Sequence, residues 1–149
     1  ISKEEALNKI NEVISKGKAA ERFEKMITEL GGPSSFLKTY KTDIKNNCVK
    51  EDIFINKQGF IKEIKTRELG LLLIELGGGR KQTTDQINHN VGYDNVLGVG
   101  EQVDASTPIL NLYSKSDQDC DEIKEKIKEC FIITESEVTK PKEIYKVIN

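Results

Sequence analysis

Apolar positions change their period several times along the chain, and each change predicts an element. Behind Ser2-Lys3-Glu4-Glu5, a capping-box pattern, Ala6, Leu7, Ile10, Val13 and Ile14 recur at helical spacing until Gly17 closes the helix. Ala19, Phe23, Met26, Ile27 and Leu30 set one face of a second helix from about Lys18, ended by Gly31-Gly32-Pro33, and Met26 reads as core packing. Ser34 and Ser35 precede a short helical turn with Phe36, Leu37 and Tyr40, and the polar stretch Lys41 to Asn47 reads as a connector. From Cys48 the period falls to two. Val49, Ile53 and Ile55 share one side and Phe54 the other; Asn56-Lys57-Gln58-Gly59 offers a turn, and Phe60 to Ile64 returns as the second strand of a hairpin.

The stretch Leu69 to Tyr113 organises the remainder. Leu69, Leu71, Leu72, Leu73, Ile74 and Leu76 make a helix apolar on almost every side, which predicts burial of most of its surface, with Thr66 as its cap. Gly77 falls where a left-handed C-cap belongs, and Gly78 and Gly79 leave the backbone free, so Arg80 and Lys81 are expected on a mobile loop. Ile87, His89 and Val91 alternate as a strand, Val96–Val99 and Gln102-Val103 read as short extended pieces, and Pro108 to Tyr113 alternates again. After the linker Ser114 to Ser116, a charged helix runs from Asp117 with Ile123, Ile127 and Cys130 on its buried side. Glu122–Lys126 and Glu125–Lys128 are its expected ion pairs. Phe131 to Thr134 reads as a strand, Pro141 breaks the chain, and Glu143 to Ile148 alternates as a last strand. The fold class is α+β: two N-terminal helices, then a mixed or antiparallel sheet domain with flanking helices. The expected division is a helical segment at 1–40 packing on an α/β domain at 41–149.

Charge narrows the partners. Twenty-three cations against 25 anions give a net charge of −2, too little basic excess for nonspecific binding to nucleic acid or anionic membranes. No apolar run approaches the roughly 20 residues of a membrane-spanning helix. Cys48, Cys120 and Cys130 form an odd set without a C-x-x-C pair, which predicts a reducing, cytoplasmic compartment. Gly77 to Thr84 is no phosphate loop, because its glycines follow a helix, Arg80 separates Gly79 from Lys81, and Gln82 replaces the hydroxyl residue. Gly98-Val99-Gly100 fails as a dinucleotide fingerprint, with Val103 where the third glycine belongs. His89 is the sole histidine and lacks companions at zinc-like spacing, so no metal and no cofactor is expected. The run Gly100 to Leu110 also looks like half of a biotinyl or lipoyl carrier. Lys57 at the predicted hairpin tip would carry the group, although it lacks a Met-Lys-Met or Asp-Lys-Ala setting. A stand-alone carrier or binding module is therefore the competing reading.

Five motifs occur in order: Gly17-Lys18-Ala19-Ala20-Glu21-Arg22-Phe23-Glu24-Lys25-Met26, Gly31-Gly32-Pro33, Thr66-Arg67-Glu68-Leu69-Gly70, Gly77-Gly78-Gly79-Arg80 and Val91-Gly92. Together they resemble the C-terminal third of the thymidine and pyrimidine-nucleoside phosphorylases, over essentially the whole chain. The resemblance implies a hammerhead or barrel-sandwich-like domain and a pentosyltransferase that converts thymidine and phosphate into thymine and 2-deoxyribose 1-phosphate, in pyrimidine nucleoside salvage and catabolism. The chain begins at Ile1 without methionine and reads as a fragment. The family's Ser-Gly-Arg-Gly-Leu and Thr-Gly-Gly-Thr signatures do not occur between Ile1 and Asn149, so no catalytic or substrate-binding residue carries over. Phosphate and the pyrimidine nucleoside would be held upstream, and the piece is expected to be inactive alone. The parent would be a homodimer through helices largely upstream, leaving a monomer as the expectation for this piece. What the resemblance leaves here is one wall of the cleft and a lid: Gly77, Gly78, Gly79, Arg80 and Lys81, with Gln82 or Asp85 helping Arg80 to hold the closed state.

Overall fold

A computed structural model describes residues 1–43, 48–142, 144 and 146. The chain divides into two compact units, 1–46 and 47–149. In the first, α1 (Lys3–Ser15) begins on the predicted capping box: the Ser2 hydroxyl accepts from the Glu5 amide at 3.1 Å, and the Glu5 carboxylate accepts from the Ser2 amide at 2.8 Å. Gly17, at φ +73°, ends this helix and serves as N-cap of α2 (Lys18–Glu29). Only glycine adopts that left-handed backbone at little cost. The Gly31 amide donates to Thr28 O and the Gly32 amide to Ile27 O, the paired bonds of a Schellman ending. Helix α3 (Phe36–Asp43) is longer than the predicted turn and takes in Lys41 to Asp43 of the expected connector. Its Phe36 ring stands 6.2 Å from Phe23 and 5.9 Å from Tyr40. The apolar faces of this unit are not a core: no described residue in it is buried, and Met26 is exposed.

The second unit holds two three-stranded antiparallel sheets among the described residues, with α4 (Thr66–Glu75) and α5 (Asp117–Glu129). One sheet has the order β1-β5-β3, from Val49–Ile53, Leu110–Ser114 and Gly92–Asp94. The other has the order β4-β2-β6, from Gln102–Val103, Gly59–Ile64 and Phe131–Thr134. Central strand β5 buries Leu110 and Leu112 and also Asn111 and Ser114, so its periodicity is weaker than a half-buried strand would show. Ile53, Ile61, Val103, Ile109 and Phe131 join a core shared by both sheets, closed by Cys120, Ile123 and Ile127 on one face of α5. Burying each large aliphatic side chain stabilises the fold by about 1.5–3 kcal/mol.

Several expectations are corrected. The turn at Asn56–Gly59 does not close a hairpin, since β1 pairs with β5 while β2 pairs with β4 and β6. Lys57 therefore lies on a connection between sheets, and the carrier reading loses its hairpin tip. The apolar helix α4 buries only Leu69 and Leu76; Leu71 is 53% exposed, and Lys65, with no side-chain hydrogen bond, occupies its N-cap instead of Thr66. Ile87 to Val91 forms no strand, because the Asn88 amide turns back to the Gly77 carbonyl and β3 begins at Gly92. Val96 to Val99 is likewise outside any strand, although the Leu97 amide donates to Ile109 O. Ser116, one residue before the expected start, caps α5 by accepting from the Asp119 amide. Glu125 and Lys128 pair at 2.7 Å as predicted, but Lys126 reaches Glu75 of α4 at 2.7 Å instead of Glu122. The predicted last strand at 143–148 lies largely outside the described residues.

Candidate functional site

The glycine loop grows out of the end of α4. Gly77, at φ +92°, sends its amide to Ile74 O at 3.0 Å, and the Gly78 amide reaches Leu73 O at 2.9 Å. This Schellman pair satisfies the last carbonyls of the helix and turns the chain sharply away. Gly78 needs its missing side chain for a second reason: a Cβ there would lie 2.7 Å from Leu73 Cδ1 and 3.1 Å from Val91 Cγ2. At Gly79 it would lie 2.7 Å from Ile74 Cγ1. The triple glycine thus lets the loop leave the helix in contact with the helix's own side chains.

Asp85 then shapes the loop from within. Its carboxylate Oδ2 accepts from the amides of Lys81 and Gln82, both at 2.9 Å, and its own amide donates to Gln82 O at 3.1 Å. The Asp85 carbonyl accepts from Arg80 Nε at 3.1 Å, so the guanidinium is steered at one edge while its terminal amino groups carry no ion pair among the described residues. The Asn88 amide closes the segment on Gly77 O at 2.8 Å. The structure thus brings Gly77, Arg80, Lys81, Gln82 and Asp85 into one hydrogen-bonded loop. Gly78 and Gly79 lie at its stem, and the side chains of Arg80, Lys81 and Gln82 are exposed. A loop anticipated as free is tied at its base and at its centre. Lys115, which nothing in the sequence singles out, approaches from the β5–α5 connection; its Nζ lies 3.4 Å from where a Cβ on Gly77 would be. An ammonium there faces the negative end of the α4 dipole.

Three other polar arrangements hold the fold. Glu101 accepts from the Gly98 amide at 2.8 Å and from Lys140 Nζ at 3.1 Å; these bonds, the Gly98 amide foremost, hold its carboxyl below the usual carboxylate range. Asp104 is likewise lowered, by the hydroxyl and amide of Ser106 and by Thr107. Burial raises the phenol of Tyr93, whose hydroxyl donates to Leu69 O at 3.3 Å. His89 is exposed on the turn before β3, and no group of metal-ligating side chains gathers among the described residues. No helix among those residues is long and apolar enough to cross a membrane.

These observations define an α+β domain of two small antiparallel sheets with a glycine-stemmed cationic loop. The family model of the pyrimidine nucleoside phosphorylase C-terminal domain matches residues 60–134, about half of the chain, from β2 through the glycine loop to β6. The chain belongs to that family.

Proposed function

We propose that this chain forms one wall of the substrate cleft of a thymidine phosphorylase, and that its 77–85 loop is the lid that closes the cleft. The enzyme would convert thymidine and phosphate into thymine and 2-deoxyribose 1-phosphate, as a homodimer in the reducing cytoplasm. The reading is supported above all by one observation: the family match encloses a loop whose Arg80 is anchored, among the described residues, through Nε alone, so that its terminal amino groups can meet an anion or a facing domain. The three cysteines, all free, agree with a reducing compartment.

Phosphorolysis must hold an anionic nucleophile beside a developing oxocarbenium ion and exclude water from the closed site. A preshaped cationic lid serves both needs, because ordering it on substrate binding costs little conformational entropy. The test is phosphate-dependent release of thymine from thymidine, followed by absorbance, for this 149-residue chain and for a full-length phosphorylase containing it. Activity in the long form alone is expected, and turnover by the chain alone would overturn the division of labour. In the long form, Arg80→Ala should lower kcat/KM by about tenfold, the loss of roughly 1.4 kcal/mol of transition-state stabilisation. Unchanged kinetics would remove the lid role. Uridine run in parallel decides the pyrimidine preference.

A further inference from the structure

Gly77 is the residue on which the loop turns, and its backbone is fully committed. Its amide donates to Ile74 O at 3.0 Å, its carbonyl accepts from the Asn88 amide at 2.8 Å, and its φ is +92°. The bare face of its α-carbon is met from outside the loop. A Cβ built there would lie 3.4 Å from Lys115 Nζ and 3.8 Å from Lys115 Cε. At Gly78 and Gly79 the corresponding space is bordered by Leu73, Val91 and Ile74, all apolar. A cation therefore meets the stem at the residue where helix gives way to loop.

The backbone that delivers Lys115 is held on both sides. Ser114, buried at the end of β5, donates its hydroxyl to Ser116 O at 2.8 Å and lies 2.9 Å from Cys120 Sγ. Ser116 caps α5, its hydroxyl accepting from the Asp119 amide at 3.2 Å. The lysine between them is exposed and has neither an ion pair nor a side-chain hydrogen bond among the described residues. Glu75, the last residue of α4, is paired with Lys126 at 2.7 Å. The ammonium of Lys115 thus faces the negative end of the α4 dipole and the pivot itself.

We propose that Lys115 is a positioning residue for the 77–85 lid: from the β5–α5 connection its ammonium holds the Gly77 pivot against the end of α4, and so sets where Arg80 stands when an anion arrives. A shift at the pivot reaches Arg80 directly. The guanidinium is tied through Nε to the Asp85 carbonyl, and the Asp85 carboxylate fixes the amides of Lys81 and Gln82, so the segment moves as a unit. Lysine suits this place, because a compact ammonium with rotatable donors keeps its contact while the backbone beneath it adjusts. The kinetic half of the inference rests on the phosphorylase reading; the structural half does not.

Two measurements separate the halves. Amide hydrogen exchange on the whole 149-residue chain reads the pivot without reference to catalysis. Lys115→Met keeps the alkyl chain and removes the charge. It should speed exchange at Gly77, Gly78 and Asn88 about threefold while β5 and α5 stay as they are, and Lys115→Arg should restore the native rates. Unchanged rates in Lys115→Met, equal acceleration across the unit, or failure of the arginine variant to restore them would overturn the proposal. In a full-length phosphorylase containing the chain, Lys115→Met should raise KM for phosphate about threefold and leave kcat within about twofold, a split that a loss of stability alone would not produce. Faster exchange with unchanged KM would overturn the positioning role if Arg80→Ala still lowers kcat/KM. If Arg80→Ala is also without effect, the lid reading itself falls.

Discussion

Gly78 and Gly92 lie in the same part of the chain, yet they answer to different constraints. A Cβ on Gly78 would penetrate Leu73 and touch Val91, whereas one on Gly92 meets nothing within 4 Å. Gly78→Ala should therefore destabilise the second unit by about 1–3 kcal/mol in urea unfolding, as overpacking does, and Gly92→Ala should be near neutral. Equal effects would mean that the loop stem relaxes freely. Glu101 supplies a pH dependence. Its carboxyl is held low by the Gly98 amide first and Lys140 second, so its contribution to stability is complete above the ordinary carboxylate range and is lost as pH falls through the lowered value. With 36% of the side chain exposed, the effect is small. The melting temperature of the unmodified chain should fall more steeply on acidification than that of Glu101→Gln, and parallel curves would count against the role of Glu101. The loop itself was half legible in the sequence: Gly77 at a left-handed C-cap follows from spacing. Asp85 as its organiser was less so, since a carboxylate three and four residues beyond the amides it accepts from is also common on a solvated surface.

At the scale of elements, α5 was readable because its buried positions 120, 123, 127 and 130 keep helical spacing against one neighbour surface. Ile127, fully buried, should cost about 2–5 kcal/mol as Ile127→Ala. Lys126→Ala, which removes the exposed ion pair to Glu75, should cost less than about 1 kcal/mol. Chemical denaturation of the two variants separates packing from surface charge, and a comparable loss in both would contradict the burial pattern. The pairing of β2 was not readable. Asn56-Lys57-Gln58-Gly59 has the composition of a hairpin turn, but its partners β4 and β6 come from remote stretches, and a turn signal carries no information about them. The same limit explains α4: six apolar positions state what the helix can bury, while only the arrangement of its neighbours decides that Leu69 and Leu76 are covered and Leu71 is not. Asn111 shows the opposite case, a polar residue in a buried strand made affordable by Asp52 Oδ1 and Asn95 Nδ2, each at 2.6 Å.

For the whole molecule, stability is distributed unevenly between the two units. The second unit contains every buried residue among those described, and the first contains none, although Leu7, Ile10, Ile14, Met26 and Leu30 lie exposed along its helices. A helical hairpin of this size gains little from capping and propensity alone: the Ser2–Glu5 box contributes about 1 kcal/mol, and isolated helices of 12–13 residues are marginal in water. Its apolar faces cannot offset the entropy of ordering while they stay in water. Residues 47–149 expressed alone should therefore melt cooperatively near the transition of the whole chain, with native near-ultraviolet circular dichroism. A peptide of residues 1–46 should show weak, non-cooperative helicity. A steep, cooperative melt of that peptide at concentrations where it is monomeric would mean that the first unit possesses a core of its own, contrary to the burial of its residues. A melt that appears only as concentration rises would show its apolar faces burying against one another, with the steepness set by association.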